Sequence, residues 1–143
     1  MSFANWVKNG WLVAHKSSRE EIQNLLGDRD LKDSRAKDVS TDWRLAIAYN
    51  AGLQAATASL AAAGYRASRD NHHYHVIQSL ELTLGKEPKF IRSFDAFRKK
   101  RNVSNYDIGG GISDREVQEM TSIAESLRED VEHWIRTHHA ALL

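Results

Sequence analysis

The stretch from Leu45 to Tyr65 contains no charged residue, and nine of its positions are alanine. A run of that kind either crosses a bilayer or lies in the middle of a protein with other elements packed around it. Asn50, Gln54, Thr57 and Ser59 interrupt it with polar groups, which fits a buried central helix and not a lipid-facing one. Ser40, Thr41 and Asp42 offer N-caps for a helix over 43–63, and Gly64 is placed to end it in a left-handed conformation. No membrane partner is therefore expected.

The remaining chain must supply what covers this helix. One proline, many helix formers and no alternating segment of useful length point to an all-α protein. With 143 residues, 41% of them hydrophobic, the chain can bury one sizeable core, so residues 1–143 are read as a single domain. The expected architecture is an up-and-down helical bundle of about five helices. Trp6, Trp11, Leu12 and Val13 mark a first region over about 3–15. Ser17-Ser18-Arg19-Glu20-Glu21 carries two overlapping capping-box patterns, opening a helix from Arg19 to about Asp38 with Ile22, Leu25, Leu26 and Leu31 as its apolar residues. Asp70-Asn71 can start another through Val76, Ile77, Leu80 and Leu84, with Gly85 as its stop. Pro88 suits the first turn of a helix running to about Arg101. Ser113-Asp114-Arg115-Glu116 is a capping box for the last helix, on which Val117, Met120, Ala124, Leu127, Val131 and Trp134 recur along one seam.

Net charge of +1 excludes a strongly basic, histone-like binder, so any contact with nucleic acid depends on local clustering of charge, which residues 86–101 show. The absence of cysteine removes disulfides and thiolate metal sites. Together with an amino-terminal segment that lacks the pattern of a secretory signal, it makes the cytoplasm the expected compartment.

The clustering peaks in Arg98-Lys99-Lys100-Arg101-Asn102-Val103-Ser104-Asn105-Tyr106, which follows a core-facing stripe of Phe90, Ile91, Phe94 and Phe97. A guanidinium such as that of Arg101 grips a phosphate by paired hydrogen bonds, and Arg98 and Lys100 add charge beside it. Asn102 either ends the helix or orients the phosphate. Tyr106, with a reference pKa near 10, is a hydrogen-bond donor or acid but a poor base, or else an anchor for the following loop. His72, His73 and His75 raise a metal hypothesis, since helical positions three apart share a face, but no carboxylate–histidine pattern accompanies them, so neither metal nor cofactor is expected. If His72 or His75 faces the motif it lends an imidazole there, with Arg66 and Arg69 extending the basic cleft. Gly109-Gly110-Gly111 lacks the lysine of a phosphate loop and is read as a connector.

Three stretches carry a family likeness: Trp43-Arg44-Leu45-Ala46-Ile47-Ala48-Tyr49-Asn50-Ala51-Gly52-Leu53 with its ending Ala63-Gly64-Tyr65-Arg66, His72-His73-Tyr74-His75-Val76-Ile77-Gln78-Ser79-Leu80, and Arg101-Asn102-Val103-Ser104-Asn105-Tyr106. Over roughly Arg19 to Leu143 the chain resembles the HEPN superfamily, small helical bundles associated with prokaryotic nucleotidyltransferases, toxin–antitoxin pairs and RNA cleavage. The third stretch is similar to that family's motif of arginine and histidine separated by four to six residues. Tyr106 stands where ribonuclease members have the histidine, so Arg101 and Asn102 carry over and the catalytic base does not. The resemblance implies a homodimer whose composite cleft handles RNA without metal, through the ribose 2′-hydroxyl. The expected function is binding of RNA or a nucleotide at Arg101, Asn102 and Tyr106 within a toxin–antitoxin or defence module. The alternatives are a metal-independent endoribonuclease and a non-catalytic docking partner of a minimal nucleotidyltransferase.

Overall fold

A computed structural model describes residues 2–27, 40–106 and 111–143, and for 102–106 the backbone alone. Along the chain come α1 (Phe3–Lys8), β1 (Leu12–Ala14), α2 (Arg19–Leu25), α3 (Thr41–Ala62), β2 (Tyr65–Ala67), α4 (His72–Gln78), α5 (Leu80–Thr83), α6 (Pro88–Tyr106) and α7 (Asp114–His138), followed by a short 3-10 helix at Ala140–Leu142. The protein is mostly helical and builds a helical bundle, as its propensities predict.

The alanine run is the central helix. Twelve residues of α3 are buried, spread around the helix and not along one stripe, and α2, α4, α5, α6 and α7 all pack against it. The tightest approach is at Gly52, where an added Cβ would lie 3.1 Å from Phe94 Cζ and 3.3 Å from Met120 Cε. The missing side chain lets α6 and α7 meet over the same turn of α3. Ser40 caps the start, its hydroxyl accepting the Trp43 N–H at 3.3 Å, and Gly64, at φ 100°, takes the left-handed conformation expected of it.

Helix α7 is the main partner of α3. Both halves of its predicted capping box form between Ser113 and Glu116. Val117, Met120, Ala124, Leu127 and Val131 are buried as the seam requires, but in the last turn Ile135 replaces Trp134. A straight helix of 3.6 residues per turn drifts away from a strict heptad seam, and Ile135 stands in line with Val117 after whole turns. Trp134 packs instead on the rings of His138 and His139, at 5.6 and 4.9 Å.

Elsewhere several expected boundaries move. The first region is helical only to Lys8; Gly10, at φ 78°, turns the chain, and β1 pairs antiparallel with β2 in the register Leu12 with Ala67, Val13 with Arg66 and Ala14 with Tyr65. Strands of three residues are too short for alternation to reveal them. Helix α2 ends at Leu25 with Leu26 as its C-cap, well before Asp38, and residues 28–38 of that expected helix, Leu31 included, lie outside the described residues. The expected helix over Val76 to Leu84 is divided at Ser79, whose hydroxyl donates to the Val76 carbonyl at 2.6 Å, and Asn71 precedes it in a left-handed conformation without capping it. Helix α6 continues past Arg101 to Tyr106, so Asn102 does not terminate it. Most of the glycine connector lies outside the described residues.

The ribbon matters because it fixes α4. Ser68, just after β2, donates its N–H to the Trp11 carbonyl at 2.9 Å and its hydroxyl to the Gly10 carbonyl at 2.7 Å. His75 of α4 then stacks on Trp11 with centroids 5.0 Å apart and meets Trp6 edge-on at 5.8 Å. With His75, Val76 and Ile77 buried, the rotation of α4 about its axis is set, and so is the direction in which its other residues face.

Candidate phosphate-binding site

On α6, the packed residues Ile91, Phe94 and Phe97 place a carboxylate, Asp95, in the same buried row. A buried carboxylate is costly unless countercharged, and Arg98 one turn on supplies the charge. Arg98 Nε donates to Asp95 Oδ1 at 2.6 Å and Nη2 reaches Oδ2 at 3.5 Å, while Lys99 Nζ lies 3.8 Å from Oδ2. The hydrogen bond to Asp95 is the chief reason the pKa of Arg98 is raised, so this guanidinium is cationic and held in place.

Two arginines on α6 each lie over a phenol from another helix. Arg98 Cζ is 5.5 Å from the ring centre of Tyr74 on α4, and Arg101 Cζ is 5.3 Å from that of Tyr49 on α3. Tyr49 has no exposed surface, and its ring meets Phe94 edge-on at 5.8 Å. Burial pushes its phenol up to about 12, against a smaller lowering by Arg101 and Arg98, so the hydroxyl keeps its proton. That hydroxyl lies 3.3 Å from Nδ1 of His73. Burial, then the neighbouring His72, Arg101 and Arg98, hold the pKa of His73 below its ordinary value. A neutral imidazole that accepts from Tyr49 at Nδ1 carries its own hydrogen on Nε2.

Arg98, Arg101 and His73 thus form a group of nitrogen donors with an excess of positive charge. An oxyanion seated among them would accept from guanidinium and imidazole together and offset the part of the His73 pKa lowering that comes from its charged neighbours, which is smaller than the part due to burial. Among the described residues, no group of three or more His, Asp or Glu is arranged to hold a metal ion. No helix among them is long and apolar enough to cross a membrane.

Of the residues singled out in the sequence, Arg98 lies over Tyr74 and Arg101 over Tyr49. His72 is exposed, with its ring 5.9 Å from that of His73 and Nδ1 3.3 Å from the Ser68 carbonyl. His75 does not face the motif: it is buried under Trp6 and Trp11, so the imidazole beside the arginines is that of His73. Arg66 is exposed on β2 opposite Val13, in the ribbon and not on α6. Lys100 forms an ion pair with Glu116 in the first turn of α7, and this bond, with those from Ser113, lowers the Glu116 pKa. Its charge ties two helices together and is largely offset there. The side chains of Asn102 and Tyr106 lie outside the described residues.

The sequence reading places Tyr49 only in the alanine-rich stretch and His73 only in the histidine cluster, and assigns neither to the phosphate site, though each carries a signal. Tyr49 is a phenol inside an otherwise apolar run, and a buried phenol needs a hydrogen-bond partner. His73 stands four and seven residues before Ile77 and Leu80, the spacing of a helix face turned inward. Compared with protein-family models, with curated proteins and with solved structures, the chain matches none.

Proposed function

We propose that the chain is a HEPN-like domain that binds RNA or a nucleotide through a phosphate seated between Arg98 and Arg101, against the imidazole of His73. The supporting observation is the place of Arg101 over Tyr49, whose buried hydroxyl meets the His73 imidazole, with Arg98 one turn earlier on α6 over Tyr74 and anchored by Asp95. The resemblance to HEPN proteins supports a role in a prokaryotic toxin–antitoxin or defence module, acting as a homodimer.

Cleavage of RNA is the second reading, and His73 is the observation that favours it. The 3.3 Å contact also fits the other tautomer, in which His73 carries its hydrogen on Nδ1 and donates it to the Tyr49 oxygen, leaving Nε2 free to take the proton of a ribose 2′-hydroxyl. The 2′-oxygen then attacks the adjacent phosphorus to give a 2′,3′-cyclic phosphate, the bond to the 5′-oxygen breaks, and that oxygen leaves with the proton returned by the His73 imidazolium, while Arg101 stabilises the added negative charge.

Fluorescence anisotropy with a labelled RNA at low salt tests binding. Arg101→Ala should weaken it by roughly 10- to 150-fold, the worth of a charge-assisted hydrogen bond of about 1.5–3 kcal/mol, and Arg101→Lys should restore only part of the loss. Affinity should fall as salt rises. An Arg101→Ala protein that binds as tightly as its parent refutes the site. Fragments formed in the presence of a chelator, and lost in His73→Gln, support the nuclease. A protein with no affinity for RNA or nucleotide, yet in stable complex with a nucleotidyltransferase, would instead be the docking subunit.

A further inference from the structure

Tyr74 presents 40% of its surface to solvent, unusual for a ring so well anchored. The Arg98 guanidinium lies over it at 5.5 Å, and Arg98 is in turn bonded to the buried Asp95 at 2.6 Å. The ring meets His75 edge-on at 5.4 Å, and His75 is clamped against Trp11. An accessible aromatic ring whose orientation is already fixed loses little freedom when another flat ring is laid upon it. Its neighbour His73 belongs to the phosphate site, and Arg98 and Arg101 are separated by a rise of about 4.5 Å along α6. The phenol therefore lies against Arg98, one turn of α6 before Arg101, and next in sequence to His73.

We propose that Tyr74 is a stacking platform for an unpaired nucleobase, so that the phosphate site takes single-stranded RNA or a nucleotide in preference to a duplex or a bare sugar phosphate. The proposal rests on the phosphate-binding reading above and adds the chemistry that selects the ligand. A base within a duplex is covered on both faces by its neighbours and cannot lie on a side chain, whereas a splayed base can. Arg98 serves both parts, holding the ring with one face of its guanidinium and adding charge toward the phosphate.

Anisotropy with an unstructured single-stranded RNA and with a duplex of the same sequence tests this, together with competition by adenosine monophosphate and by ribose 5-phosphate. The parent protein should prefer the single strand, and the nucleotide should compete better than the sugar phosphate. Tyr74→Leu should weaken single-strand binding about 5- to 150-fold, the equivalent of ~1–3 kcal/mol for one stacked base, and leave the duplex unaffected. Tyr74→Phe, which keeps the ring, should bind as the parent does. Equal competition by the two small ligands, or Tyr74→Leu binding the single strand undiminished, overturns the platform. If Arg101→Ala alone loses affinity, the phosphate reading stands without it; if the parent binds neither RNA nor nucleotide, both fall.

Discussion

Tyr49→Phe removes one oxygen from a ring with no exposed surface, and its effect on stability should change sign with pH. At neutral pH the variant loses the 3.3 Å hydrogen bond to His73, worth about 0.5–1.5 kcal/mol. A second contribution appears in alkali. Burial raises the phenol from 10.0 to about 12, so the folded protein holds this proton more tightly than the unfolded chain does. Below pH 10 both states are protonated and the advantage is fully present. Above it the unfolded chain ionises first, and the advantage is lost as the pH rises through the folded value near 12. At ~1.4 kcal/mol per unit, that removes up to about 2–3 kcal/mol from the parent and nothing from the phenylalanine variant. Urea unfolding followed by circular dichroism at stepped pH measures the difference, because lysine titration affects both proteins alike. The variant should be less stable by about 1 kcal/mol near pH 8. The curves should meet near pH 11 and cross beyond it. Two curves that stay parallel throughout would refute the account of Tyr49 as a buried, proton-retaining phenol.

His73 gives a prediction at the acid end. Its lowered pKa contributes stability that is present above the ordinary value of 6.5 and is lost as pH falls through the folded value, and a bound anion should raise that value again. Ligand binding in mildly acidic buffer should therefore take up a proton, seen by calorimetry in buffers of different ionisation enthalpy; equal uptake in His73→Gln would sink the assignment. Ser113→Ala removes the hydroxyl of the capping box on α7 and should cost about 1 kcal/mol, or roughly 2–5 °C in Tm by thermal melting, with Glu116 moving back toward its ordinary pKa. An unchanged Tm would mean that another group caps α7 equally well.

What could be read in the sequence was what local chemistry decides. The alanine run is uncharged over its whole length, so a central helix follows from α3 alone. Ser113 and Glu116 declare the start of α7, and its apolar spacing declares the buried face. The basic cluster of α6 stands out in the sequence, although the helix that carries it runs on to Tyr106 and does not end at Arg101. The rest depends on partners distant in sequence. Lys100 looks like its basic neighbours until the start of α7 brings Glu116 to it. His72 and His75 share a helix face by spacing, but Trp6 and Trp11 arrive through the ribbon and cover one of them, leaving His73 for the arginines. The ribbon itself is a pairing of three-residue segments on either side of α3, invisible to any periodicity within one segment.

That ribbon also separates the order of synthesis from the order of assembly. Leu12–Ala14 leaves the ribosome long before Tyr65–Ala67, and has no strand to pair with until all of α3 has been made. Trp6 and Trp11 can close over His75 as a latch only after that second strand and α4 have followed. A latch fastened late and held by two short strands is a natural first place to open in the finished protein. Its release would free α4 to turn and carry His73 and Tyr74 away from the arginines, so faster amide exchange in the ribbon should accompany weaker ligand binding at the site.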